Sequence, residues 1–260
     1  MTATLDQWYP PDWAEDWDRV GLVVGDPADE VIKAYLTVDC MPEVVAEAVR
    51  VGANLIVAHH PLLLRGVSSV AATTFKGRVI RDLIRGGIAL HVIHTNADIA
   101  QPGVSDALAH RLGLVDLRPL VPSVGAAIGG GRGSGRIGSL PRPMTLTELV
   151  QHARDVLPVT SWGIRAGGDP HRPVRTMAVC GGAGDTFLAA AQAAGVDAYL
   201  TADLRHHPAS EYLADVGPAL IDAAHWATER PWLDDLARRM RNEAGLDTVV
   251  SDVVTDPWNV

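Results

Sequence analysis

Ala53-Asn54-Leu55-Ile56-Val57-Ala58-His59-His60-Pro61 decides how this chain is read. Leu55, Ile56 and Val57 form a short apolar run of the kind a fully buried strand requires, and two imidazoles and a proline stop it. Chemistry in α/β proteins gathers at the carboxyl ends of strands. The pattern returns twice. Ala198-Tyr199-Leu200-Thr201 is followed by His206-His207-Pro208, and Leu220-Ile221-Asp222-Ala223-Ala224 runs into His225, with Glu229 four residues on.

Outward from these runs, strand and helix signals alternate. Val31–Val38 reads as a strand, 42–51 as a helix with Pro42 in its first turn, 75–85 as a helix closed by Gly86-Gly87, and 88–94 as a strand. Val104–Leu112 is read as a helix ended by Gly113, and 146–157 as another, started by Thr145 or Thr147. A strand at 176–179, a helix at 186–194 and a final helix from about Glu229 to Arg241 complete the series. This order predicts an α/β fold, with a largely parallel sheet covered by helices. Gly125, Gly129, Gly130, Gly131, Gly133, Gly135 and Gly138 interrupt it, so Val121–Arg142 is read as a loop or lobe boundary. Gly133-Ser134-Gly135-Arg136-Ile137-Gly138 matches G-x-G-x-x-G by letter. It neither follows a clear strand nor opens a helix, and is not read as a dinucleotide site. Val38-Asp39-Cys40, helix, strand, His-His-Pro is echoed by Val179-Cys180-Gly181, helix, strand, His-His-Pro, which suggests two related lobes, 1–123 and 124–260.

The 260 residues carry a formal charge of −9, which disfavours nucleic-acid binding but leaves room for a small anionic substrate held by cations. No apolar run approaches the ~20 residues a spanning helix needs. Met1–Trp17 has four acidic residues and no basic region, unlike a signal peptide. A cytoplasmic protein without membrane contact is expected, with Cys40 and Cys180 as reduced, buried thiols.

His59, His60, His94, Asp98, His206, His207, His225 and Glu229 supply the imidazoles and carboxylates that zinc, iron, manganese or nickel take as ligands. Adjacent histidines on a regular strand point to opposite faces. One ion takes both His59 and His60 only if Pro61 turns the chain; otherwise each serves its own ion, which favours a dinuclear site. His225 and Glu229 stand at helical i, i+4 spacing, but Pro231 belongs in a helix's first turn and Thr228 offers an N-cap. The helix is therefore expected to start near Glu229, with His225 ending the strand. Trp17-Asp18 is read as an interface or core tryptophan beside an acid, and His94 as a ligand, a supporting partner or a proton shuttle.

Together Trp17-Asp18-x-Val20-Gly21-Leu22, Ala58-His59-His60-Pro61-Leu62, His94-Thr95-Asn96-x-Asp98, Gly103-Val104, Val179-Cys180-Gly181-Gly182, Thr201-x-Asp203-Leu204-x-His206-His207 and Asp222-Ala223-x-His225-x-x-x-Glu229 resemble the GTP cyclohydrolase I type 2 homologues, the Nif-three-like dinuclear metal-centre proteins. The resemblance covers nearly the whole chain, in the short form without the extra middle domain of longer relatives. It implies two α/β lobes of related topology with a dinuclear metal site in the cleft between them. Its ligands would be His59, His60, Asp98, His225 and Glu229, holding two divalent ions. His94, His206 and His207 would line the site, with His94 or His206 moving protons. It also implies a homohexamer and a metal-dependent hydrolase acting on a small, nucleotide-like substrate. The alternative is a non-enzymatic metal-handling or ring-shaped scaffold protein. The chain departs from relatives at Thr201-Ala202-Asp203, where glycine commonly precedes the aspartate, and in its Gly129–Gly135 stretch, which is expected to alter access.

Overall fold

Leu55–Ala58 does form a strand (β3), buried along its whole length. In the computed structural model, which describes residues 1–124, 131–215 and 217–260, β3 lies between two parallel neighbours, Lys33–Thr37 (β2) and Ala89–Val92 (β4). Helix Pro42–Arg50 (α2) connects β2 to β3, and Phe75–Gly86 (α3), capped by Thr74 and ended by left-handed Gly87, connects β3 to β4. Tyr35, Ile56, Ala58, Leu90 and Val92 pack on Val44, Val45 and Ala48 of α2 and on Val79, Ile80 and Leu83 of α3. Burying each of the larger aliphatic chains contributes about 1.5–3 kcal/mol. Gly21–Val24 (β1) adds antiparallel to β4, and Asp247–Val250 (β11) adds parallel to β2, giving the order β1-β4-β3-β2-β11. Helix Thr2–Trp8 (α1) precedes β1.

A second sheet follows in the chain. Its strands are Val115–Pro122 (β5), Gly133–Thr145 (β6), Ile164–Gly167 (β7), Pro173–Ala183 (β8), Ala198–Ala202 (β9) and Ala219–Ala223 (β10), in the order β5-β6-β8-β9-β10-β7. Only β8-β9-β10 are mutually parallel. Val179, Leu200 and Ile221 face Val104–Arg111 (α5) and Leu146–Val156 (α6), while Ala178, Tyr199 and Leu220 face Leu188–Ala193 (α7) and His206–Ala214 (α8). With both faces covered, these strands read as continuous apolar runs, the property that made them visible in the sequence. Helix α6 starts at Thr145, whose hydroxyl accepts from Glu148 N–H while the Glu148 carboxylate accepts from Thr145 N–H. Among the described residues the remaining α-helices are the single turn Thr95–Asp98 (α4) and His225–Ala244 (α9).

The chain forms two compact units, one of residues 1–97 and 233–255, the other of 98–232 and 256–260. The α/β class is as expected; the architecture differs in three respects. The sheets are mixed rather than largely parallel: β1 joins the first antiparallel, and β5, β6 and β7 pair antiparallel in the second. The division falls at Ala97 rather than at 123, since β5 pairs with β6. The stretch read as a loop is strand from Gly133 onward; residues 125–130, with Gly129 and Gly130, lie outside the described residues. Four prolines and the glycines hid this hairpin. Pro119 and Pro122 are tolerated on edge strand β5, and Pro141 and Pro143 sit where the β6–β8 register shifts. Gly138 is needed for packing, since a Cβ there would come within 2.7 Å of Leu117. Arg136, buried, donates to Asp106 at 2.7 and 2.6 Å and to the carbonyls of Gly133, Gly135 and Ala100.

The two sheets share a topology. In the first, an edge strand (β1) precedes three parallel strands and pairs with the third, giving β1-β4-β3-β2; the second repeats this as β7-β10-β9-β8. The echo between the halves of the sequence is thus a repeated unit.

His91 of β4 carries a prediction. It is 2% exposed, and burial, aided by the chain's amino terminus, lowers its pKa to about 4. A depressed histidine must be neutral to fold, so stability is lost as pH falls from 6.5 towards 4. The loss is about 2 kcal/mol by pH 5. Urea unfolding at pH 7 and 5 should show this slope, and His91→Phe should flatten it.

Candidate metal centre

In the first unit the β3 backbone runs past its end, His59 N–H donating to Thr37 O and His60 N–H to Val38 O. The two side chains nevertheless stay together, ring centroids 5.0 Å apart. His94, two residues beyond β4, joins them at 5.1 and 5.5 Å, and the three residues' ligand atoms all lie within 4.8 Å of one another. The expected divergence of His59 and His60 is therefore not realised; the chain turns at Pro61 as the alternative required.

Each ring is oriented from behind. His59 Nδ1 donates to Ile93 O at 2.9 Å, His60 Nδ1 to Asp39 Oδ1 at 2.7 Å, and His94 Nδ1 to Asp18 Oδ1 at 2.9 Å. A carbonyl or an ionised carboxylate can only accept, so Nδ1 carries the proton and Nε2 keeps its lone pair. This is the support that metal-ligating histidines characteristically have. Asp18 also accepts from Thr95 N–H and Oγ1. Burial works against its charge, but the bonds from His94 and Thr95 hold its carboxyl well below the usual range. Trp17, read as an interface or core residue, is half exposed and meets His94 edge-on at 5.9 Å.

In the second unit His225 opens α9. Its Nδ1 donates to Asp203 Oδ2 at 2.7 Å, and its Nε2 lies 3.0 Å from Glu229 Oε1. The expected helix start at Glu229 is overturned: Pro231 sits inside the helix, and Thr228, read as an N-cap, bonds back to His225 O and accepts from Gly182 N–H. His225 and Glu229 are thus a helical i, i+4 pair. Burial disfavours a charged His225, but Glu229 and Asp203 prevail and push its pKa up to about 11. Asp98 ends α4. With burial as the main cause, its charge and that of Glu229 push the Cys180 thiol up to about 12. Cys180 and Cys40 are free and buried, as expected.

Gly182 provides a test of fit. It adopts φ +67°, and a Cβ there would stand 2.4 Å from Glu229 Oε1 and 2.9 Å from His225 Nε2. The chain keeps open the space beside these two donor atoms. One nitrogen and one carboxylate oxygen at such a gap suit a borderline divalent ion.

The repeat relates the two sets. His94 follows the third parallel strand of the first sheet by two residues and leads to Asp98 four residues on; His225 and Glu229 stand identically after β10. His206 and His207, by contrast, are exposed in the first turn of α8 rather than at a strand end, rings 5.3 Å apart. Among the described residues they belong to no group of three close ligand atoms. Of the supporting carboxylates, Asp39 and Asp203 are not singled out in the sequence and Asp18 only as an acid beside Trp17, although each stands in or beside a quoted motif. Asp203 has φ +57°, which favours Asn, Asp or Gly.

The Duf34/NIF3 (NGG1p interacting factor 3) family profile matches residues 1–257. The chain belongs to the Duf34/NIF3 family. A Streptomyces coelicolor relative named "GTP cyclohydrolase 1 type 2 homolog" is 54% identical, over 99% of this chain and 92% of its own. A Mycobacterium tuberculosis protein of the same name is 38% identical over 98% and 95%. That alignment runs to 361 positions against 260 residues here, so this Duf34/NIF3 relative carries additional chain. Among solved structures, a Staphylococcus aureus hypothetical protein superposes with TM-score 0.90 at 28% identity, covering 100% of this chain and 97% of its own. A Bacillus cereus protein related to NIF3 gives 0.92 at 23%, covering 99% and 97%, which shows the fold.

Within this family member, Asp203→Asn should retain the fold, because Asn tolerates the left-handed backbone. It should weaken divalent-ion binding at His225 about 10- to 100-fold, as loss of a supporting carboxylate does. Equilibrium dialysis with zinc beside wild type reads this directly.

Proposed function

We propose that this Duf34/NIF3 chain holds two divalent ions on His59, His60, Asp98, His225 and Glu229 and is a metal-dependent hydrolase acting on a nucleotide-like substrate. The observation that carries the reading is the common orientation of the imidazoles. His59, His60, His94 and His225, all just beyond strand ends, each engage an acceptor through Nδ1 and direct Nε2 elsewhere. Zinc, iron, manganese and nickel all suit this donor set. When bound, such ions lower the pKa of a water towards about 7 and polarise a scissile bond. The chain's own part is positional. Asp18 fixes His94 so that its Nε2 can take a proton, and the Trp17 ring edge restricts its rotation. His206, on the exposed first turn of α8, is the second proton-carrying candidate. The family resemblance extends the proposal to a cytoplasmic homohexamer, which light scattering tests.

No helix among the described residues is long and apolar enough to cross a membrane. The deep burial of His59 and Glu229 favours a second reading, a metal-holding scaffold whose sites are closed by protein. One experiment separates them. Protein loaded in turn with zinc, iron, manganese or nickel is offered GTP and phosphoesters beside a His60→Ala/Glu229→Ala double variant. Metal-dependent turnover lost in the variant supports the hydrolase; two tightly held ions without turnover support the scaffold.

A further inference from the structure

Beyond β11 the chain stays tied to the first sheet. Ser251 N–H donates to Leu36 O at 2.8 Å, extending the pairing of β11 with β2 by one residue. The buried Ser251 hydroxyl accepts from Tyr35 Oη at 3.0 Å and from Val253 N–H at 3.1 Å. Val253 packs on the core beneath. These ties bring Thr255 to the end of β2, where its hydroxyl donates to Asp39 Oδ2 at 2.5 Å.

Asp39 is the carboxylate behind His60. Its Oδ1 accepts from His60 Nδ1 at 2.7 Å, and Thr255 engages the other oxygen. The torsion that turns a carboxylate about its Cβ–Cγ bond is soft, so one hydrogen bond leaves the group free to swing and two opposed bonds do not. The Asp39 backbone is fixed as well, its carbonyl accepting from Thr37 Oγ1 at 3.0 Å and from Met41 N–H at 3.2 Å.

The same unit builds this arrangement a second time. Asp18 accepts from His94 Nδ1 on Oδ1 and from the Thr95 hydroxyl on Oδ2. There the threonine adjoins the histidine in the chain, whereas Thr255 stands 216 residues from Asp39. Each of the two imidazoles thus has an aspartate behind it and a threonine hydroxyl behind the aspartate.

We propose that Thr255 is a positioning residue of the metal centre: its hydroxyl fixes the Asp39 carboxylate and, through it, holds the His60 ring with Nε2 presented to the ion. The inference rests on the place proposed above for His60 among the ligands.

The test uses the full chain with Thr255→Val, which keeps the shape and removes the hydroxyl, and Thr255→Ser, which restores it. Metal-free protein with nitrogen-labelled histidines is read by NMR at about pH 8, above the ordinary imidazole range. In Thr255→Val the Nδ1 proton of His60 should exchange with water about fivefold faster, as loss of one hydrogen bond of about 1 kcal/mol allows. The Nδ1 proton of His94 should exchange as in wild type, and Thr255→Ser should return His60 to the wild-type rate. Zinc affinity should fall about 3- to 10-fold in Thr255→Val, less than the loss of a group bonded directly to a ligand, and recover in Thr255→Ser. A purely structural part for Thr255 would lower Tm without separating His60 from His94. Unchanged exchange at His60 would overturn the inference, as would a loss of zinc affinity that serine does not restore. Equal zinc binding by wild type and His60→Ala would remove His60 from the ligands instead, and exchange at His60 would still decide whether Thr255 holds its ring.

Discussion

A Gly182→Ala chain is expected to lose about 100-fold in divalent-ion affinity at His225 and Glu229 while keeping its secondary structure, the upper end of what disturbing a ligand's surroundings costs. The added Cβ would stand 2.4 Å from Glu229 Oε1 and 2.9 Å from His225 Nε2, inside any van der Waals contact, so one side chain must move. Glu229 has little freedom to do so, being 3% exposed. His225 is tied behind by Asp203. The substitution also places alanine at φ +67°, adding about 1–2 kcal/mol of backbone strain. A modest fall in Tm should therefore accompany the loss of binding. Dialysis against zinc, with circular dichroism as the folding control, separates the two. Unchanged zinc affinity in a folded Gly182→Ala protein would mean that these two atoms do not hold an ion together.

The fold was legible where strands are buried on both faces. Leu55–Ala58, Ala198–Ala202 and Ala219–Ala223 are almost wholly apolar, and no other element type of that length fits between the flanking turns. Edge strands give a weaker signal. Gly21–Val24 is half-buried throughout, and β5 and β6 carry prolines and glycines that ordinarily mark loops. At the site, residue chemistry selected the imidazoles, yet letters alone could not separate His59-His60 from His206-His207. One pair follows a strand and is drawn inward, while the other opens a helix and faces solvent. Pro231 misled the reading of α9, because proline favours a helix's first turn, whereas this helix begins at His225 and carries Pro231 inside it. The supporting aspartates were harder still. Asp18, Asp39 and Asp203 gain meaning only from the Nδ1 each accepts from.

With His225 as a ligand, as proposed, divalent-ion affinity should rise steeply with pH, because the ion displaces a proton from its ring. Burial opposes the charged ring, but Glu229 and Asp203 overcome it and carry the pKa of the metal-free form up to about 11. At pH 7 His225 is then protonated, and Nε2–H donates to Glu229 Oε1 across the 3.0 Å contact. The same charge affects folding of the metal-free chain: a raised folded-state pKa contributes stability that is complete below 6.5 and lost as pH climbs through about 11. Binding runs in the opposite sense. Removing a proton held well above neutrality lowers the apparent affinity at pH 7, and the loss is regained about tenfold per unit as pH rises towards the pKa. Calorimetry at pH 7 in two buffers of different ionisation enthalpy should find about one proton released by His225 as the ion binds. Asp203→Asn removes one of the two charges that raise this pKa, so the pH at which affinity stops rising should move down. An affinity flat between about pH 6.5 and 8.5 would mean that no proton leaves His225 as the ion binds, so a charged His225 would not be serving as a ligand.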